Sequence, residues 1–214
     1  MDPSLETNQW GNGMKLYNAN SGNTKRVRIF IAEKGIEIPR IELELGVGTR
    51  TAAFREINSL GEVPVLELDD GRIITESLAI CRYLEVAYPN PPLMGRNAFE
   101  QGHIEMWSQR VFGQIFMTYG LLVRHSLSLF ADVVDQVPEF AETQRKAIPE
   151  KWHWLDREMS DGRPFIAGDE FTMADVHGMT VLMIVDGIGH PIPEDCSHVN
   201  RWADTMRRRP SYEA

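Results

Sequence analysis

Val63-Pro64 and Glu76-Ser77 are the two pairs whose residue types and positions suggest chemistry. Proline has no N–H to give to a sheet ladder, so Pro64 belongs at the start of a strand, where a cis Val63–Pro64 bond is compatible. The backbone of Val63 is then an open edge beside that strand. Glu76-Ser77 places an acid and a hydroxyl at the start of a helix, with Ser77 read as its N-cap. The free N–H groups of a first helical turn favour an anion. Together the pairs offer one extended peptide two handles. One is a backbone edge at Val63; the other is an acid for an ammonium and a helix terminus for a carboxylate.

The elements that must position these pairs follow from local pattern. Gly61 to Leu68, Asp69-Asp70-Gly71 and Arg72 to Ser77 read as a strand that starts at Pro64, a tight turn, and a second strand that runs into a helix, with Asp70-Gly71 as a hairpin signal. Upstream, Met14 to Tyr17 is a strand candidate, followed by a loop rich in Asn, Ser and Gly. Val27, Phe30, Ile31 and Lys34 then fall at helical spacing, with Gly35 as the C-cap residue. Ile36 to Leu45 predicts a second strand interrupted by Pro39, and Thr51 to Asn58 a short helix. Ser77 to Tyr88 predicts a helix that completes a β-α-β-α-β-β-α order, hence a mixed sheet with helices on both faces.

Pro89-Asn90-Pro91-Pro92 breaks this pattern. Beyond Asn97 no strand signal survives. Ile104, Trp107, Val111, Ile115 and Leu122 form one apolar stripe at helical period. Further helices are predicted over Ala141 to Met159, Thr172 to Asp186 and His198 to Arg209. The expected division is residues 1–13 as a disordered extension, 14–88 as an α/β domain, 89–96 as a linker and 97–214 as an all-helical domain.

Composition narrows the classes of function. The chain has 214 residues, 22 Lys and Arg against 31 Asp and Glu, and a net charge of -9, which disfavours nucleic acid or an anionic membrane as partner. A chain of this length buries about 70% of its unfolded surface, enough for ordinary cores without staples. Its cysteines, Cys81 and Cys196, are far apart, as suits a reducing compartment. No apolar run approaches the roughly 18 residues of a membrane span, and residues 1–13 carry no basic-plus-apolar signal pattern. A cytoplasmic protein is expected.

The Val63-Pro64 and Glu76-Ser77 pairs, in this element order, resemble the glutathione-binding half of the soluble glutathione transferases. The resemblance covers Met14 to Ala214. It implies an N-terminal thioredoxin-like α/β domain followed by an all-α helical domain. Gly168-Asp169-Glu170-Phe171-Thr172-Met173-Ala174-Asp175 is similar to the family's turn into its buried helix. Physically it is a capping box with Thr172 at N-cap and Asp175 at N3, and this reading is preferred to a catalytic Asp175.

The resemblance implies glutathione as cosubstrate, no metal, and activation of the glutathione thiol for attack on a small hydrophobic electrophile. It also implies a homodimer. The thiolate donor is expected in the loop Asn20-Ser21-Gly22-Asn23-Thr24-Lys25-Arg26, which holds no cysteine, so a mixed disulfide with the protein is set aside. Tyr17 lies too early for the catalytic tyrosine of some classes. Asn23, at the position used by the nu class, and Ser21, as in theta-like and zeta-like relatives, remain as donors; Asn23 is the first choice. Capping of the first helix is the bland alternative for Asn23. A nu-like site would also reduce disulfides or peroxides through bound glutathione.

Val63 and Pro64 are expected along the cysteinyl unit, with Glu76 and Ser77 at the γ-glutamyl end. Glu62 stands where relatives often carry a polar or basic contact to the glycyl carboxylate. Arg50 and Lys25 are the candidates to compensate. Met106, Arg110 and Gln114, at i, i+4 spacing, are candidates for the second-substrate site. The histidines show no metal-ligand spacing, and Cys81 reads as a core residue. The rivals are a zeta-type glutathione-dependent isomerase and a non-catalytic module that retains the fold.

Overall fold

The computed structural model describes residues 13–214. The expectation for residues 1–13 therefore lies outside the described residues, except for Gly13. The chain forms two compact units: the residues up to Pro91 together with Ala214, and Pro92–Glu213.

The first unit contains, in chain order, β1 (Lys15–Asn18), α1 (Gly22–Lys34), β2 (Arg40–Glu42), α2 (Ala52–Ile57), β3 (Val65–Glu67), β4 (Ile73–Thr75) and α3 (Ser77–Ala87). The sheet order is β2-β1-β3-β4. β1 runs parallel to β2, which requires the α1 crossover, and antiparallel to β3, which forms the predicted hairpin with β4. Alternation along the strands divides the core. Tyr17 pairs with Val65, and both join Ala19, Phe54 of α2 and Val63 in one buried cluster. Leu16 pairs with Leu66 on the opposite face, and both are fully buried.

Gly35 ends α1 in the left-handed conformation, φ 64°, its N–H reaching the carbonyls of Ala32 and Ile31. The strand expected over Ile36 to Leu45 shrinks to the three exposed residues of β2. Pro39 cannot donate to a ladder, so pairing starts just after it and the strand remains an edge.

The second unit is helical: α4 (Ala98–Val111), a π-helical segment (Phe112–Phe116), α5 (Met117–Ser126), α6 (Pro138–Glu158), α7 (Met173–Ile188) and α8 (Ser197–Arg207). The five residues of the apolar stripe are all buried. The stripe is nevertheless not one α-helix. The π turn inserts an extra residue and rephases the faces that precede and follow it. α4 packs on α7, α5 on α6, and α8 on both α6 and α7. Among the described residues no helix is long and apolar enough to cross a membrane.

The box at the start of α7 forms as expected. The Asp175 carboxylate accepts from the Thr172 amide at 3.0 Å and from its hydroxyl at 3.3 Å. Replacing Thr172 by alanine is expected to cost ~1 kcal/mol in a denaturant titration. A glutathione KM that shifted with it would contradict a purely structural role.

Candidate active site

The first unit brings the start of α1 and the head of α3 together around one buried cation, Arg26. α1 starts after Ser21, whose backbone is extended at φ -144° and ψ 159°. Ser21 Oγ accepts from Thr24 N at 3.3 Å, and Ser21 N donates to Thr24 Oγ1 at 3.3 Å. Ser21 is thus the N-cap in a reciprocal capping box, and its hydroxyl is engaged there. The capping role considered for Asn23 falls to Ser21 instead.

Asn23 is exposed in the first turn of α1. Its Oδ1 accepts from an Arg26 guanidinium nitrogen at 2.9 Å, and the same nitrogen donates to Ser77 Oγ at 2.7 Å. Arginine has only donors, so the Asn23 oxygen must face it. The Asn23 amide hydrogens are then turned away from the guanidinium. Arg26 is only 1% exposed. Burial lowers its pKa to about 10, so it keeps its charge at neutral pH. One guanidinium and the N-termini of α1 and α3 therefore concentrate positive potential, a setting that favours thiolate over thiol.

Arg26 was not among the expected site residues. The signal was present in its spacing, one helical turn after Asn23, but the long-range bond to Ser77 was not.

Ser77 is buried, and here the sequence reading needs correction. The N-cap of α3 is Glu76, and Ser77 is the first helical residue. Glu76 has φ 66° and ψ 117°, a sparsely populated region that costs an L-residue on the order of 1–3 kcal/mol. Such strain persists where surrounding structure imposes it, and it clusters at ligand sites. It leaves the acid exposed at the head of α3, directly before the Ser77 hydroxyl.

Val63 lies beyond both ladders, which begin at Val65, and the Val63–Pro64 bond is cis. Its side chain belongs to the Tyr17–Phe54 cluster, so the residue is anchored on one side while its backbone is left outside the sheet. Gly61 lets the approach to this edge pack closely. A Cβ there would stand 2.8 Å from the Thr49 carbonyl oxygen, and φ is +64°. Thr49 belongs to the 3-10 turn Gly48–Arg50, so the same packing sets the turn that carries exposed Arg50 beside the segment leading to Val63. Lys25 Nζ donates to the Ala214 carbonyl at 3.1 Å, and Glu62 is exposed.

The loop that opens α1 holds no cysteine, although Cys81 of α3 lies near enough to Arg26 of α1 for the two to act on each other electrostatically. Cys81 is fully buried within α3, and burial pushes its thiol up to about 12, so it is chemically inert at neutral pH. Tyr17 donates its hydroxyl to Glu67 at 2.7 Å, which commits it to the strand pair.

In the second unit Met106 and Arg110 are exposed on α4, and the Arg110 guanidinium lies 5.1 Å from the Trp107 ring centre. Gln114 does not share their face in the way i, i+4 spacing implied. It lies within the π segment, and its Oε1 accepts from Lys151 of α6 at 2.7 Å.

The Glutathione S-transferase, N-terminal domain family matches residues 16–92, and the Glutathione S-transferase, C-terminal domain family matches residues 118–210. Glutathione S-transferase 2 of Saccharomyces cerevisiae is 32% identical over 192 residues, covering 87% of this chain and 82% of that protein. The chain belongs to the glutathione S-transferase family. Human glutathione S-transferase theta-2 is 29% identical over 84% of the chain and 74% of its own length. Among solved structures, a glutathione S-transferase domain-containing protein of Marinobacter aquaeolei superposes with a TM-score of 0.85 at 30% identity, covering 92% of this chain and 99% of that one. These relatives agree with a thioredoxin-like unit followed by a helical one, as the element order implied.

Proposed function

We propose that this glutathione S-transferase family member binds glutathione in its first unit and activates the thiol for attack on a hydrophobic electrophile. The reading is carried by the Arg26 bridge, which ties the Asn23 amide to the head of α3. Asn23 Nδ2 donates to the glutathione sulfur. Val63 offers its backbone to the cysteinyl unit beside Pro64. Glu76 takes the γ-glutamyl ammonium, and Ser77 with the α3 amides takes the adjacent carboxylate. Arg50 is assigned to the glycyl end, where Glu62 adds an unfavourable charge. Met106 and Arg110 are the residues assigned to the electrophile.

In the chemical step the S–H bond breaks and its proton passes to solvent. The sulfur pair then forms a bond to the electrophilic carbon, and the leaving group departs with its bonding pair. The donor bond is strengthened as charge gathers on sulfur, so its value lies in stabilising the thiolate rather than in holding the peptide.

Asn23→Ala is expected to lower turnover with an aryl halide by about a hundredfold, with a much smaller change in glutathione KM. Full activity would remove Asn23 from the mechanism and return the role to Ser21. Glu76→Ala is expected to raise the glutathione KM roughly tenfold or more, since it removes a charge-assisted bond. An unchanged KM would sink that assignment. Retention on immobilised glutathione, with conjugation and disulfide-reduction assays run in parallel, distinguishes transferase from reductase chemistry. Failure in all three would favour a non-catalytic module.

A further inference from the structure

His153, Asp195 and Cys196 converge in the helical unit, far along the chain from the loop around Asn23. His153 Nε2 lies 3.0 Å from both carboxylate oxygens of Asp195. The ligand atoms of all three residues lie within 4.8 Å of one another. An imidazole nitrogen, a carboxylate oxygen and a thiol sulfur at such spacing match the donor set of a borderline divalent ion such as zinc. Three protein donors leave a fourth position; the side chains of His153 and Asp195 are 39% and 75% exposed, whereas Cys196 is buried.

The geometry is held in place without an ion. Asp156 lies one turn after His153 on α6, and its Oδ1 accepts from the amides of His198 and Val199 at 2.8 and 2.9 Å. This clamp fixes the start of α8, and with it Cys196, against the face of α6 that carries His153. The turn before α8 is itself closed. Cys196 N donates to the Pro193 carbonyl, and so does Asn200 Nδ2, at 3.1 and 2.8 Å.

We propose that His153, Asp195 and Cys196 form a binding site for a zinc-like divalent ion that staples α6 to α8. Binding replaces the thiol proton, which leaves to solvent, so the site holds the metal through thiolate, imidazole and carboxylate with water in the fourth position. The site takes no part in glutathione chemistry. Its effect is to stabilise the helical unit by binding the folded state alone. Histidine spacing in the sequence conceals it, because 42 residues separate His153 from Asp195.

Cobalt(II), used as a spectroscopic substitute for zinc, tests the site on the intact chain. The expected result is one equivalent bound, with a thiolate-to-cobalt band in the near ultraviolet and tetrahedral bands in the visible. Cys196→Ser should abolish the thiolate band. His153→Gln and Asp195→Asn, at exposed positions that should leave folding intact, should each weaken binding at least roughly tenfold. Zinc should raise the melting temperature of the wild type and not of His153→Gln. Absence of the thiolate band in the wild type, or wild-type affinity in both exposed variants, would overturn the proposal.

Discussion

Replacing Asp175 by alanine is expected to destabilise the helical unit by about 3–5 kcal/mol, several times the effect of losing Thr172. The carboxylate is fully buried and serves more than the cap. One oxygen accepts from the Thr172 amide and hydroxyl, and the other from the Ile166 amide and Trp202 Nε1, both at 2.9 Å. Three elements therefore meet on one side chain: the turn before α7, α7 itself and α8. Alanine would leave buried donors in the turn and on α8 without acceptors, and each such group carries a desolvation penalty of roughly 1–3 kcal/mol.

Acidity gives this result a second signature. Burial pushes the Asp175 pKa up to about 6, against the donors that pull it down. The folded state therefore holds a proton between about pH 4 and about pH 6 that the unfolded chain has released. The contribution of this group is fully present below the lower value and is lost as pH rises through the upper one. The stability gap between wild type and Asp175→Ala should accordingly narrow from about pH 4 to about pH 7. Chemical denaturation across that range measures it, and a gap that widened with pH would show that the donors, not burial, dominate.

Arg26→Met should separate activity from stability. The guanidinium joins Asn23 Oδ1 to Ser77 Oγ in a site where it is almost wholly buried. Losing two charge-assisted hydrogen bonds is expected to lower kcat/KM on the order of a hundredfold, with both kcat and glutathione KM affected. Methionine nearly fills the volume, and removing a buried charge that burial already disfavours should leave the melting temperature unchanged or higher. A structural role alone predicts the reverse, a lower melting temperature with kinetics intact. Arg26→Lys supplies the intermediate case. It keeps the charge as a point but loses the planar fork, so it should recover part of the glutathione affinity without the Asn23 orientation.

The residues that could be read in advance are those whose meaning is local. Gly35 ends α1 because its backbone is left-handed, Asp70-Gly71 turns the hairpin, and Thr172 with Asp175 caps α7 within one turn of chain. Helical period placed Ile104, Trp107 and Val111 in the core. The shortened β2, the cap at Glu76 and the departure of Gln114 depend on pairing, strain and a π turn, none of which has a local pattern that marks it.

By itself the sequence determined the order of elements, the two-unit division of pattern around the prolines, and the cysteine-free loop from which Asn23 is offered. Each rests on bonds or periodicities within a few residues. Only the tertiary structure decided that Arg26 links Asn23 to Ser77, that Asp175 also holds Ile166 and Trp202, and that Gly178 makes room for the Trp202 ring, 2.4 Å from where a Cβ would stand. The meeting of His153 with Asp195 and Cys196 is of the same kind. These contacts join residues distant in the chain, whose side chains select partners only after helices and strands have packed. A buried polar group must then find its partner where the fold brings one, and no local spacing encodes that place.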